Sequence, residues 1–458
     1  MDIVFIIFLT VISFTIFCLS LFCLLRNYFS IDYLYLILPL IFFSFWAFHC
    51  IYYLNTQKYE EMGKFWDGDF PVFYNAGKQI LKNPAYLYEV PRYFYMPSFA
   101  IFCAFTFSLL PFRVAYYTFY FTNYLAGMLA ILEFDRILLL LDVKKKAYRL
   151  FFLTIISNGY LIWVVFYLNH LKFLVFLILL FIIRREIQYR KEAKTKNIKY
   201  YILTFGLFVF LLGIAPYFIF LLFIYVFQQI KLKNILKKEN LKMYFIIISW
   251  FVIQNITFII YPLQIVQFID GFNRPVRESR SSHPLFLQDF IYISPSEMTT
   301  LSLIFTGILA IIAAVLILYR NEKIENKFSL FLLSYIFFGI ISPPFLIVST
   351  CFSFVLFLFV PFLNQEVEGY EFLKKNIIVL IGLASILGIA LFINDFFNYV
   401  FFPAIHEQDF GILETYRLLV LHTIMLSCIC SLYIRKYKLV KKENIERTKF
   451  AVLTDDKG

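Results

Sequence analysis

The chain has 458 residues, of which 61% are hydrophobic and 21% aromatic, with a mean hydropathy of +0.77 and a formal charge of +12. A soluble fold cannot bury so much apolar side chain, so the composition points to a polytopic membrane protein. The charge gathers in clusters that the positive-inside rule places on the cytosolic side, and no nucleic-acid partner is needed to explain it. The seven cysteines lie in or beside apolar runs without CxxC spacing, which suggests neither a disulfide framework nor a zinc site.

In chain order, Ile3 to Leu25 reads as a retained membrane anchor, and Tyr33 to Tyr53 as a second span. A first external loop follows over residues 55–96. Within it, Asp67-Gly68-Asp69 precedes a helix that Pro71 favours, because proline fixes φ and lacks an N–H that would be orphaned anyway. Phe73, Ala76, Gly77, Ile80 and Leu81 supply one apolar face of this helix, Asn75, Lys78, Gln79 and Lys82 the other, and Asn83-Pro84 ends it. Such a helix is too polar to span a bilayer and belongs at its surface. Residues 97–110 are apolar but only about 14 long, roughly 21 Å of helix against a hydrocarbon core of about 30 Å, which suits a re-entrant segment.

A span over Val114 to Leu132 leads to Glu133-Phe134-Asp135-Arg136, where Glu133 and Arg136 can pair at the inner interface. Spans near Leu150 to Leu168 and Leu171 to Ile183 are joined by an external turn that holds His170 and Lys172, candidates for the floor of a site. The basic run from Arg184 to Lys199 is the firmest cytosolic segment. A bent pair around Pro216 and a span from Met243 to Leu263 then reach a second external loop, residues 264–298, with Arg274, Arg277, Arg280 and His283. Five more spans, from Thr299 to Ile434, bring the total to about 11 to 13 in a single all-α domain covering 1–458.

Several groups have chemistry within reach. Asp69 suits a general base acting on a sugar or lipid hydroxyl, and equally a helix-capping carboxylate; with Asp67 it also makes a pair able to chelate a divalent ion. Tyr86, Tyr88, Tyr93 and Tyr95 fit a sugar-binding cleft or an interfacial aromatic belt. Arg92 and the row Arg274, Arg277, Arg280 offer planar forks to a lipid phosphate. No Gly-rich phosphate loop, HExxH or GxSxG is present, and acids that would form a proton pathway through the spans are not apparent.

The order Asp69-Phe70, Tyr74, Ala76, Asn83-Pro84, Leu87-Tyr88, Tyr95-Met96-Pro97 and Leu110-Pro111 resembles glycosyltransferase family 87, the polyprenyl-phosphate-mannose-dependent α-mannosyltransferases of the GT-C fold. Asp67-Gly68-Asp69 is similar to the DxD-like motif of mannosyltransferases of GPI-anchor synthesis, and Asn169-His170, Ala215-Pro216 and Ser342-Pro343 are weaker echoes. The family's lysine is replaced at Ala215, and its histidines after Ser-Pro are replaced by residues around Leu346 to Phe352, leaving Arg277, Arg280 or His283 to substitute. The resemblance implies inverting transfer of a sugar, mannose in the first instance. The donor would be a polyprenyl-phosphate sugar and the acceptor a lipid or glycan on the non-cytosolic face. Asp69 would be the base, with Asp67 beside it and Tyr74, Arg92, Tyr95, His170 and Lys172 around the substrates. It also implies no cofactor and no metal, in a plasma or ER-type membrane rich in lipid contacts. The competing expectation is a multi-pass transporter or flippase of lipid-linked sugars.

Overall fold

The computed structural model describes residues 34–62, 69–140, 170–192, 197–214 and 237–272, with isolated positions between 146 and 166 and at 222, 225 and 226. Every regular element among them is helical. In order they are α1 (Leu34–Met62), α2 (Asp69–Lys82), a 3-10 segment (Pro84–Glu89), α3 (Pro97–Cys103), a π turn (Ala104–Ser108), α4 (Phe112–Leu140), α5 (Lys172–Lys191), α6 (Ile198–Ile214), α7 (Lys238–Gln254), α8 (Ile256–Ile260) and α9 (Leu263–Phe272). The expected spans at Ile3 to Leu25 and from Thr299 onward lie outside the described residues.

Helix α2 begins two residues earlier than Pro71 suggests, with Asp69 in its first turn and Lys82 in its last, each charge favourable to the helix dipole. Phe70, Val72, Phe73, Tyr74, Ala76, Gly77 and Ile80 are buried. Leu81, expected on the same face, is 47% exposed, although Ile80 beside it is buried. That covering segment is the Pro97–Ser108 hairpin arm. A Cβ built on Gly77 would meet the Ser108 Oγ at 2.1 Å and the Ala104 backbone nitrogen at 2.7 Å, so only glycine allows this approach. Ser108 Oγ in turn donates to the Tyr74 carbonyl at 2.8 Å.

Pro97–Ser108 and Phe112–Leu140 form a pair bent by 114° around Leu110-Pro111, a geometry common to a broken span and to the re-entrant segment expected over 97–110. Among the described residues no single helix is long and apolar enough to cross a membrane, although this bent pair passes together. Helix α4 lies along α5 and also packs on α1, while α6 packs on α7. A knot of rings ties α2 to its cover: Phe70 lies 4.9 Å from Phe119, Phe73 lies 4.9 Å from Phe99, and Phe73 lies 5.1 Å from Tyr95. Edge-on and tilted pairs of this kind add about 0.5–1.5 kcal/mol each beyond the area they bury.

Several expected boundaries move. Helix α1 continues to Met62, into the first external loop. Glu133, Asp135 and Arg136 do not follow a span but sit inside α4, which runs on to Leu140. The expected span from Met243 to Leu263 is interrupted twice, at Asn255 and at Tyr261-Pro262. The second break is proline's; the first follows a tertiary bond, since Asn255 Oδ1 accepts from the Ser98 backbone N–H at 3.2 Å. The second external loop starts as helix, because α9 occupies its first residues and Gln264 donates from there to the Pro84 carbonyl.

Candidate functional site

Asp69 opens α2, and its Oδ2 accepts two interactions from other parts of the chain. The Tyr95 hydroxyl donates to it at 3.2 Å, and His170 Nδ1 lies 3.0 Å away. Among the described residues both partners come from outside α2. The side chains of Asp69 and His170 are 24% and 12% exposed.

Tyr95 is aimed by its surroundings. Its ring is held against Phe73 and Phe99, and its backbone carbonyl accepts from the Tyr88 hydroxyl at 3.0 Å. His170 is clamped on both sides of its peptide: its N–H donates to the Val165 carbonyl at 3.1 Å, and its own carbonyl accepts from Asn123 Nδ2 at 2.9 Å. Asn123 is buried in α4, and its Oδ1 has no partner among the described residues. Lys172 begins α5 and is buried two positions beyond His170. Arg92 stands in the tight turn before Tyr95 with φ of 66°, a left-handed conformation that costs a non-glycine residue about 1–2 kcal/mol. Its charge is felt at Asp69.

Burial alone would push the Asp69 carboxyl up. The attraction and hydrogen bond of His170, the hydroxyl of Tyr95 and the charge of Arg92 together outweigh it, and the group is held below its ordinary 3.8. A depressed carboxylate stabilises the fold fully above that ordinary value, and the contribution is lost as pH falls below it. Asp69 is therefore an anion throughout the neutral range.

The other expected site residues divide. Tyr74 is buried, its hydroxyl donating to the Leu110 carbonyl at 2.9 Å and its ring covered by Lys78 at 4.6 Å. Tyr88 and Tyr93 are also buried, with their hydroxyls on the carbonyls of Tyr95 and Met96, whereas Tyr86 is exposed. Of the four loop tyrosines, then, Tyr95 alone among the described residues reaches Asp69. Asp67, Arg274, Arg277, Arg280 and His283 lie outside the described residues. Among those described, no three His, Cys, Asp or Glu side chains gather to hold a metal.

Buried charge also collects further along α4 and α5, and most of it escaped the sequence reading. Arg149 reaches both oxygens of Asp135, at 2.8 and 2.5 Å, and the Tyr35 hydroxyl at 2.6 Å. Glu133 accepts from Arg136 at 3.2 Å, the expected pair, and also from Arg184. Glu186, fully buried, accepts from the hydroxyls of Tyr200 and Tyr225. No family model, curated protein or solved structure matches the chain.

Proposed function

We propose that the chain is a multi-pass membrane glycosyltransferase that moves a sugar, mannose in the first instance, from a polyprenyl-phosphate donor to a lipid or glycan acceptor. The single observation that carries this reading is the meeting of Asp69, Tyr95 and His170, residues that the sequence singled out for such a site, the first two in one loop and the third in the turn before α5. An ionised, partly accessible carboxylate beside an imidazole is suited to accept the proton of an attacking hydroxyl. The hydroxyl oxygen bonds to the anomeric carbon, the bond from that carbon to phosphate breaks, and the leaving phosphate keeps the electron pair. Arg92, exposed beside the site, can meet the phosphate charge as it develops.

Supporting the membrane setting are the composition and a row of exposed apolar residues on α4, Tyr117, Phe121, Leu125 and Leu129, spaced one helical turn apart. One observation favours the transporter alternative: the breaks at Asn255 and Tyr261-Pro262, together with buried Gln254 and Thr257 oxygens that have no partner among the described residues, resemble the broken helices of transport sites.

The test is to supply radiolabelled polyprenyl-phosphate-mannose to membranes with and without the protein, and to follow label into lipid and glycan. Label that moves to acceptors only when the protein is present supports the transferase. Donor that crosses the bilayer intact, with no transfer, would instead establish the flippase.

A further inference from the structure

The contact between Asp69 and His170 poses a question that the sequence did not: which of the two takes the proton. Asp69 Oδ2 is engaged by His170 Nδ1 at 3.0 Å and by the Tyr95 hydroxyl at 3.2 Å, with Arg92 adding a positive field. Each of these favours the bare carboxylate, and each makes it a weaker proton acceptor. The same contact also orients the imidazole. A carboxylate on Nδ1 fixes the tautomer with its hydrogen there, leaves the lone pair on Nε2, and stabilises the imidazolium once formed. Among the described residues Nε2 has no hydrogen-bond partner, while the backbone on both sides of the ring is held by Val165 and Asn123.

Resting on the glycosyltransferase reading, we propose that His170 Nε2 is the general base for the acceptor hydroxyl and that Asp69 is its positioning residue. The acceptor's O–H bond breaks as its oxygen bonds to the anomeric carbon. The proton goes to Nε2, and the electron pair of the cleaved carbon–oxygen bond goes to the leaving phosphate. The imidazolium, beside the Asp69 carboxylate, then returns its proton to water. Facing the ring are Asp69 from α2 and, beyond that carboxylate, Tyr95 and Arg92; Lys172 opens the helix that follows His170, and Tyr120 of α4 donates to the Phe166 carbonyl at 3.3 Å.

The experiment is the pH dependence of kcat/KM for transfer from radiolabelled polyprenyl-phosphate-mannose, using the full chain in membranes, for wild type, His170→Gln and Asp69→Asn. The expected wild-type profile falls about tenfold per pH unit on an acid limb above about pH 5, where the Asp69 carboxyl, held below its ordinary value, is already ionised. In His170→Gln that limb disappears and the remaining rate is lower by roughly 10²–10⁴-fold. In the residual activity of Asp69→Asn the limb persists, because the proton acceptor is the imidazole and not the carboxylate; this arm serves if His170→Gln fails to fold. A flat wild-type profile down to pH 5, or a limb that survives in His170→Gln, overturns the assignment and returns the proton to Asp69. Failure of wild type to transfer at any pH overturns the glycosyltransferase reading, and this inference with it.

Discussion

The two ends of the α4–α5 pair treat buried carboxylates in opposite ways. Near the C-terminal end of α4, Asp135 is held by both prongs of Arg149, Glu133 by Arg136 and Arg184, and Glu186 of α5 by two tyrosines. In the N-terminal half, at the level where Asn123 holds the His170 carbonyl, Asp69 meets one imidazole and one hydroxyl, both on the same oxygen. The side chains of Glu133 and Asp135 are 7% and 9% exposed, against 24% for Asp69. A saturated carboxylate holds helices together and is closed to substrate. One bonded on a single oxygen and partly exposed has lone pairs left for chemistry. Under the proposed function, the contrast separates structural acids from the one at the site, over a rise of about 15 Å between the two levels of α4.

The largest expected effect on stability lies at the closed end. Arg149→Ala strands the Asp135 carboxylate in a dry interior, and thermal unfolding of the purified protein is expected to reveal a loss of about 3–5 kcal/mol. A double variant that removes both Asp135 and Arg149 with apolar residues should recover much of that loss. Next, Gly77→Ala forces α2 away from Ala104 and Ser108, at about 1–3 kcal/mol, and shifts Asp69 with it, so both the melting temperature and transfer should fall. Tyr95→Phe removes one bond to a charged acceptor, about 1.5–3 kcal/mol, and lets the Asp69 carboxyl rise toward its ordinary value; transfer should drop while the fold persists. The smallest change is expected at Arg92. Gly at this position relieves the left-handed backbone and should raise the melting temperature slightly, yet transfer should weaken through loss of the guanidinium; Arg92→Lys should keep the charge and lose the planar fork.

Local rules made the open end partly legible. The apolar spacing, Pro71 and Asn83-Pro84 delimit α2 to within two residues, because each signal acts within one or two turns. The short apolar stretch before Pro111 likewise announced the bend. What sequence could not supply were pairings set by tertiary packing. Asn123 looks like an isolated polar residue in an apolar helix until it is found holding the His170 carbonyl. Glu186 sits among basic residues and reads as a surface acid, yet it turns inward to Tyr200 and Tyr225. The break at Asn255 carries no proline or glycine, and its cause lies on α3, at the Ser98 N–H.

The most direct test of the open end is transfer from radiolabelled polyprenyl-phosphate-mannose by wild type and Asp69→Asn, at matched levels of folded protein. Asparagine keeps the size of the side chain and a hydrogen-bonding oxygen but neither accepts a proton at neutral pH nor carries the charge that orients the imidazole. A fall on the order of 10²–10⁴-fold, with the melting temperature little changed, is the predicted result. Equal transfer by the two proteins would contradict it, and would leave Asp69 as one more structural acid, no different in kind from Asp135.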